Sequence, residues 1–221
     1  MGYGQSKLVA ERLLVIASRT SELDVAIFRV GQVAGPVLRG EKGVWNQREW
    51  LPSLVRSSKT LCMLPASLGP IDEVQWVPVD LLARAAVEML FADPGQKQRR
   101  MHKNRVGSVK IWHGVNPRVA RWSSLLPTIR EMLGNDVTIV TLAKWVEVVR
   151  MANETDLDRN PAAKLLDFFE TLEEKARRYP DVSAATLDMK HTVKQSKTMA
   201  EMQIVNDEWI RLWMRQWELE A

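Results

Sequence analysis

Residues 24–36, DVAIFRVGQVAGP, join a short apolar run to a segment that is rich in glycine. The run Asp24–Val30 has the continuous apolar, β-branched character of a strand that is buried on both faces, and Gly31 ends it. Upstream, Ser6–Ser21 carries apolar residues at helical spacing between charged ones, which predicts an amphipathic helix. A helix that leads into a buried strand is one half of a parallel crossover. The stretch therefore predicts an α/β fold.

Glycines and a proline follow the predicted strand between positions 31 and 43. This composition predicts a long loop at the carboxyl end of the strand. In open parallel sheets, ligands bind at that edge. The loop is therefore the first place in the sequence where a binding site is expected.

Downstream of the loop, strands and helices alternate, and the chain becomes mostly helical after Trp122. The predicted strands are Val74–Val77, Val109–His113 and Val137–Val140, and the predicted helices are Asn46–Lys59, Pro78–Phe91, Ser123–Leu133, Leu142–Met151, Asn160–Arg178 and Gln203–Leu219. Trp209, Trp213 and Trp217 share one face of the last helix, which predicts packing against a core.

Composition limits the class of protein. The chain has 221 residues, 46% of them hydrophobic, and a formal net charge of +4. No apolar run approaches the roughly 20 residues of a transmembrane helix, so no membrane association is expected. Cys62 is the only cysteine and the first residues lead into a charged helix, so a reducing, cytoplasmic location is expected. Cys62 itself lies in the apolar run TLCML and is predicted to be a small core residue.

The densest basic run is KQRRMHKNR, Lys97–Arg105. It predicts a solvated loop between a helix and a strand, and a docking patch for an acidic partner is the alternative. No aromatic interleaving or binding module accompanies it, so nucleic acid is not an expected partner.

Tyr3 and Lys7 lie one helical turn apart at the start of the first predicted helix. A phenol is a weak acid at neutral pH, and an ammonium on the same helix face stabilises its phenolate form. Such a tyrosine can protonate a carbonyl oxygen while hydride reaches the carbon. Because so short a motif also arises by chance, the spacing alone has an alternative interpretation: Tyr3 and Lys7 are an exposed helix pair with no catalytic role.

Five longer stretches of the sequence, the first of which contains Tyr3 and Lys7, follow one another along the chain: YGQSKLVAERLL, FRVGQVAGP, WVPVD, HGVNP and NPAAKLLDFFETL. Together they resemble the extended short-chain dehydrogenase/reductase family downstream of its active-site tyrosine. They look most like the thioester reductase domains of fungal nonribosomal-peptide-synthetase-like and polyketide synthase enzymes. The resemblance implies the C-terminal part of a Rossmann-like fold, with a reductase core at residues 1–120 and a mostly helical substrate- or carrier-side subdomain at residues 121–221.

The resemblance also implies the roles of single residues. Tyr3 is expected to protonate the substrate oxygen, and Lys7 to stabilise the phenolate and bind the ribose of NADPH. Gly31, Gln32 and Val33 are expected along the nicotinamide end of the cofactor, mostly through backbone groups. The substrate would be an acyl thioester on the phosphopantetheine arm of an acyl or peptidyl carrier protein. Its NADPH-dependent reduction would give an aldehyde or an alcohol in secondary metabolism.

One part of the family pattern has no counterpart here. The Gly-x-x-Gly-x-x-Gly loop that holds the cofactor pyrophosphate does not occur in the sequence, and neither does the Ser or Thr expected upstream of the tyrosine. We therefore expect the chain to need an N-terminal reductase half for cofactor binding. The alternatives are a non-catalytic remnant or carrier-docking module, and a truncated gene model.

The remaining polar candidates are predicted to be structural. Arg29 lies inside the predicted strand and is expected to pair with a buried carboxylate such as Asp80. His113 is expected to be a satisfied histidine rather than a base. No cluster of cysteine, histidine and carboxylate residues has metal-ligand spacing, so no metal is expected.

Overall fold

The computed structural model describes residues 2–21, 23–91, 107–152, 157–180, 182 and 187–219. The described helices are α1 (Gly2–Thr20), α2 (Trp50–Leu61), α3 (Val79–Phe91), α4 (Trp122–Leu133), α5 (Leu142–Met151), α6 (Leu166–Arg178), α7 (Lys190–Gln195), α8 (Lys197–Glu201) and α9 (Asp207–Gln216). The described strands are β1 (Val25–Val30), β2 (Val33–Ala34), β3 (Met63–Pro65), β4 (Glu73–Val74), β5 (Val77–Pro78), β6 (Val109–Gly114), β7 (Ala120–Arg121) and β8 (Thr138–Val140).

The strands pair mostly in parallel. β1 and β6 form the longest pair, in register from Val25 opposite Val109 to Val30 opposite Gly114. β2 pairs with β5 and β3 with β8, both in parallel, while β4 and β7 form an antiparallel pair. Parallel strands require crossover connections, which the helices supply. The predicted α/β class is confirmed, but β1 is not buried on both faces as predicted, because Ile27 is the only one of its six residues that is buried.

Two predicted elements begin or divide differently in the structure. The helix predicted from Asn46 begins at Trp50, because the Asn46 side-chain oxygen accepts a hydrogen bond from the Arg48 N–H and holds a turn there. The single strand predicted at Val74–Val77 is two strands, β4 and β5, which pair with different partners. Trp76 lies between them and is buried in the core.

The C-terminal helices are shorter than their patterns suggest. The helix predicted at Asn160–Arg178 starts as a 3-10 turn at Pro161–Leu165 and continues as α6. The last helix begins at Asp207 because the Asn206 side chain accepts a hydrogen bond from the Trp209 N–H at 3.0 Å. By contrast, α5 has the predicted bounds.

Cys62 is exposed, so its predicted place in the core is wrong. It follows the last residue of α2 with φ of 51°, the left-handed conformation that ends many helices. Its Sγ lies 3.4 Å from Asp136 Oδ2, and this hydrogen bond raises the pKa of the thiol. The turn at the helix end, rather than the apolar neighbours in sequence, decides where the side chain points.

A cluster of tryptophans joins the loop after β2 to the last helix. The ring centroids of Trp45 lie 5.0 Å from Trp213 and 5.1 Å from Trp217, within the preferred range for aromatic pairs. Trp213 Nε1–H also donates to the Gly35 carbonyl at 3.0 Å. Trp209, Trp213 and Trp217 are all buried, which confirms their predicted packing role.

An ion pair fixes α1 against β1. The Arg29 guanidinium donates to both carboxylate oxygens of Glu11, at 2.7 to 3.1 Å. The predicted pair of Arg29 with Asp80 is wrong, because Asp80 accepts the Val37 and Leu38 N–H groups at 2.9 and 2.6 Å. Asp80 thereby ties the loop after β2 to the first turn of α3 rather than neutralising a cation.

The outward face of α1 is apolar and exposed. Of residues 2–20, Ser18 alone is buried. Apolar side chains on the rest of the helix are 42 to 61% exposed: Leu8, Val9, Leu13, Leu14 and Ile16. β1 is paired along one edge, to β6, among the described strands. None of the described helices is long and apolar enough to cross a membrane.

The close approach of Gly35 to the tryptophan cluster gives a stability prediction. A Cβ at Gly35 would lie 2.8 Å from Trp45 Cβ and 2.9 Å from Trp213 Cδ1, neither of which is a flexible chain end. We expect Gly35→Ala to lower the free energy of unfolding by about 1–3 kcal/mol, the usual cost of overpacking. Urea unfolding measures it.

Gly4→Ala is the matched control, because a Cβ at Gly4 meets nothing within 4 Å and the residue lies inside α1. Alanine there is expected to raise the free energy of unfolding by about 0.5–1 kcal/mol through helix propensity. Equal effects of the two substitutions would contradict the packing argument.

The Glu11–Arg29 pair gives a pH-dependent prediction. The hydrogen bond from Arg29 lowers the pKa of Glu11. A carboxyl with a lowered folded-state pKa stabilises the fold above its unfolded value, near 4.3, and this contribution disappears as the pH falls through the folded value. We expect Glu11→Gln to cost about 0.5–1 kcal/mol at pH 7, since Arg29 is partly exposed and screened by solvent.

Urea unfolding at pH 7, 5 and 3 tests this. The deficit of the variant should shrink between pH 5 and pH 3, and a deficit independent of pH would contradict the assignment. Glu147→Gln is the control, because Glu147 pairs with Lys144 on the exposed side of one helix. Such a pair contributes at most about 0.5 kcal/mol.

Candidate functional site

The start of α1 lies at the carboxyl end of β1. Glu11, in the middle of α1, contacts Arg29 near the end of β1, and Ser18 Oγ–H donates to the Leu23 carbonyl just before β1 begins. The helix and the strand therefore run in opposite directions. Tyr3, at the first turn of α1, belongs to the edge at which β1 ends.

The two groups of predicted site residues share this edge. Tyr3 precedes Glu11 by about 12 Å of helix, at 1.5 Å per residue. Gly31 lies about 7 Å beyond Arg29 along the chain direction of the strand. Both displacements from the ion pair point the same way, so Tyr3–Lys7 and Gly31–Val33 lie at one end of the α1–β1 unit.

Tyr3 and Lys7 contact each other on an open surface. Lys7 Nζ lies over the Tyr3 ring, 5.2 Å from its centroid. The Tyr3 side chain is 78% exposed, and a Cβ at Gly2 or Gly4 would meet nothing within 4 Å. Lys7 forms no ion pair with any carboxylate in the described part of the chain. A phenol and an ammonium with free hydrogen-bonding capacity therefore face solvent side by side.

Gly31 and Gln32 are held by the neighbouring strands. The Gly31 N–H donates to the Gly114 carbonyl at 3.1 Å, and the Gln32 carbonyl accepts from the Val77 N–H at 3.0 Å. A Cβ at Gly31 would lie 2.6 Å from Val115 Cγ1, so the close approach of the two strand ends requires glycine. The Gly31 N–H and the Gln32 carbonyl are therefore already hydrogen-bonded within the protein. The expected backbone contacts to a cofactor would have to come from the other backbone groups of Gly31–Val33.

The Gln32 side chain has a fixed orientation. Its Oε1 accepts from Trp50 Nε1–H at 2.8 Å, and its Nε2–H donates to the Val33 carbonyl at 2.8 Å. Glu49 Oε2 lies 3.4 Å from the same Nε2. Glu49 and Trp50 begin α2, so the helix start positions the loop after β1. This role of Gln32 cannot be predicted from the sequence, because its contacts span 17 and 18 positions and carry no local pattern.

His113 is satisfied at one ring nitrogen. Its Nδ1 lies 2.8 Å from the Asp188 carbonyl oxygen, and its backbone N–H donates to Thr192 Oγ1 at 3.0 Å. Its Nε2 is buried without a hydrogen-bond partner among the described residues. The prediction of a satisfied histidine is therefore confirmed at Nδ1 and wrong at Nε2.

Two further predictions concern other parts of the chain. Within the described residues, no group of three His, Cys, Asp or Glu side chains is placed to hold a metal ion. The basic run Lys97–Arg105 lies outside the described residues.

Comparisons with known proteins agree with this architecture. Residues 1–86 match the NAD-binding family described as male sterility protein. The chain is 38% identical over 219 residues to a carboxylic acid reductase of Neurospora crassa, covering 98% of this chain and 20% of that protein. It is 30% identical over 232 residues to the adenylate-forming reductase Nps10 of Heterobasidion annosum, covering 98% and 19%. The chain thus spans about a fifth of the length of these relatives.

Among solved structures, the terminal R domain from the myxalamid PKS-NRPS biosynthetic pathway superposes with a TM-score of 0.69 at 22% identity. The match covers 97% of this chain and 49% of that chain, and it confirms the predicted Rossmann-like fold. Sequence relatives and fold agree over nearly the whole chain, helical C-terminal part included. Over residues 1–86 the chain thus matches an NAD-binding family, and over nearly its whole length it is similar to parts of carboxylic acid reductases and adenylate-forming reductases.

Proposed function

We propose that the chain is the proton-donating and substrate-side part of an NADPH-dependent reductase that converts a carrier-bound acyl thioester to an aldehyde or an alcohol. The observation that carries the proposal is the contact of Lys7 Nζ with the Tyr3 ring, on an open surface at the carboxyl end of β1. Ligands of open parallel sheets bind at that edge.

Tyr3 is the proton donor in this proposal. Its phenol gives a proton to the thioester oxygen as negative charge develops there, and the Lys7 ammonium stabilises the phenolate that remains. The chemistry that a reduced nicotinamide supplies when bound is hydride delivery to the carbonyl carbon. The bond from that carbon to sulfur then breaks as the hydroxyl proton leaves the oxygen and the sulfur gains a proton, which releases the arm as a thiol and the acyl group as an aldehyde. A second round of reduction gives the alcohol.

The residues at this edge fit a nicotinamide dinucleotide. The Lys7 ammonium has no ion-pair partner in the described part of the chain, so its N–H groups are available to ribose hydroxyls. Gly31, Gln32 and Val33 lie at the same end of the α1–β1 unit and would line the nicotinamide end. Specificity for the 2′-phosphate of NADPH is part of the proposal and rests on the family resemblance.

A partner surface accompanies the site. The apolar side of α1 is exposed, and one edge of β1 has no partner among the described strands. In a doubly wound sheet, further parallel strands and helices cover such surfaces. We assign this surface to a dinucleotide-binding reductase half with its own glycine-rich loop. Residues 1–120 then form the core that meets this half, and residues 121–221 the substrate- or carrier-side subdomain.

Substitution of the proton donor tests the function. In the chain joined to a dinucleotide-binding half, we expect Tyr3→Phe to lower kcat for thioester reduction by at least about 100-fold, the usual contribution of a general acid. NADPH affinity should change little, because the ring and its contact with Lys7 remain. Aldehyde formation and NADPH oxidation are the measurements.

Tyr179→Phe is the matched control, since the only other tyrosine of the chain is also partly exposed, 49%, at the end of α6. It should leave turnover unchanged. Normal turnover by Tyr3→Phe would overturn the assignment and favour a non-catalytic docking module.

Cofactor binding tests the need for a second half. The 221-residue chain alone is expected to give no saturable change in nicotinamide fluorescence at NADPH concentrations that saturate the joined halves, because pyrophosphate binding depends on a glycine-rich loop. Tight binding by the chain alone would show that this loop is dispensable here. Lys7→Met in the joined protein should weaken NADPH binding, since the ribose loses its cationic donor.

A further inference from the structure

A groove of about 630 Å³ opens beside α2, away from the residues assigned to the cofactor. Arg48 lines it from just before α2, and Ser53 and Arg56 line it from within α2. Asp158, Pro161 and Lys164 line it from the segment that precedes α6. None of the described residues that line it is Tyr3, Lys7 or a member of Gly31–Val33. No described residue that lines the groove has a role in the proposed proton transfer or cofactor binding.

Of the four described charged side chains that line the groove, three are cationic. Lys164 Nζ lies 3.9 Å from Asp158 Oδ1, a loose contact with a fully exposed carboxylate. Neither Arg48 nor Arg56 forms an ion pair with a carboxylate in the part of the chain that the structure describes. Three cations against one acid favour a dianionic ligand, and the nearby N-terminus of α2 adds to the positive field.

Arg56 is pre-organised for such a ligand. Its Nη2–H groups donate to Gln47 Oε1 and to the Trp217 carbonyl, both at 2.8 Å. These bonds fix the plane of the guanidinium and use one of its three nitrogens. Donors on the other nitrogens stay available, and a fixed cation loses little entropy when it binds a phosphate.

The apolar part of the groove narrows the class of ligand. Leu157, Pro161 and Leu165 line it beside the cations, and no aromatic side chain is among the described lining residues. A nucleotide phosphate would bring an adenine ring that has nothing to stack on. The phosphate of a phosphopantetheine arm is instead followed, after one methylene group, by a dimethyl-substituted carbon, which matches the aliphatic side chains next to arginine and lysine.

The position of the groove suits the length of that arm. Arg56 follows Trp50 by six residues, about 9 Å along α2. Trp50 is hydrogen-bonded to Gln32 at the proposed nicotinamide end. An extended pantetheine arm has the length of about five extended residues, roughly 17 Å, so it can reach from the groove to that edge.

We infer that the groove lined by Arg48, Arg56 and Lys164 binds the phosphate of a phosphopantetheine arm and so anchors a carrier-bound substrate. The inference rests on the proposed thioester reduction, because it names how the substrate of that same site is held. In this inference α2 carries both Arg56, which binds the phosphate of the arm, and Trp50, which is hydrogen-bonded to Gln32.

Calorimetric titration of the 221-residue chain with 4′-phosphopantetheine and with pantetheine tests the inference. We expect the phosphorylated arm to bind at least about tenfold more tightly, and the difference to fall as salt is raised. Arg48→Gln and Lys164→Gln, both at exposed positions, should each weaken phosphopantetheine binding about three- to tenfold and leave pantetheine binding unchanged. Lys144→Gln, an exposed change on α5, is the control and should alter neither.

Adenosine 2′,5′-bisphosphate identifies the source of the phosphate. It should bind the groove more weakly than phosphopantetheine. Tighter binding of the nucleotide that is lost in Arg48→Gln and Lys164→Gln would overturn the inference in favour of a cofactor phosphate. Equal affinities for phosphopantetheine and pantetheine would overturn it as well.

The inference and the proposed function can fail separately. If Tyr3→Phe abolishes turnover while the glutamine variants keep the normal KM for a phosphopantetheine thioester, the groove is not the anchor and the chemistry stands. If the glutamine variants lose phosphopantetheine binding while Tyr3→Phe turns over normally, the anchor stands and the proton donor does not.

Discussion

The packing of Trp45 against Trp213 and Trp217 holds the two ends of the described core together. It joins the loop after β2 to a helix near the other end of the chain, and the Trp213 bond to the Gly35 carbonyl fixes the register of that contact. Trp45 and Trp217 bury their ring N–H groups without a partner among the described residues. Such groups are costly to bury, so buried aromatic area rather than a ring hydrogen bond stabilises the positions of Trp45 and Trp217.

This cluster also connects the two proposed sites. Trp217 supplies the carbonyl that orients Arg56 in the cationic groove. Trp76 packs against both Trp45 and Trp50, and Trp50 holds the Gln32 side chain. A rigid aromatic core thus lies behind both the loop that ends β1 and the helix that lines the groove. Because well-packed interiors transmit displacement, changes in the cluster should be felt at both places.

Much of this fold can be predicted from periodicity and turn residues. The helix–strand unit at Ser6–Val30, the tryptophan face of α9 and the bounds of α5 follow from local pattern. The Tyr3–Lys7 contact also follows, because residues four apart on a helix are neighbours. These features depend on residues that are close in sequence.

The features that could not be predicted depend on distant partners. Arg29 has several acidic residues within reach in principle, and only the antiparallel course of α1 over β1 selects Glu11 rather than Asp80. Cys62 has apolar neighbours, but the left-handed turn at the end of α2 turns it to solvent. The groove needs Arg56 and Lys164, more than one hundred positions apart, to be brought together by the packing of α2 on the turn before α6.

The exposure of Tyr3 is the last constraint on the proposed mechanism. A general acid acts best when its geometry is fixed and water is excluded, yet Tyr3 lies in the first turn of a helix whose apolar side faces solvent. Burial of Leu8, Leu13 and Ile16 against a reductase half would supply the hydrophobic free energy that α1 lacks here. The same contact would order the first turn and shield the phenol. Assembly of the sheet and organisation of the proton donor are therefore one event in the proposed enzyme, and the acid becomes competent only when the cofactor side is in place.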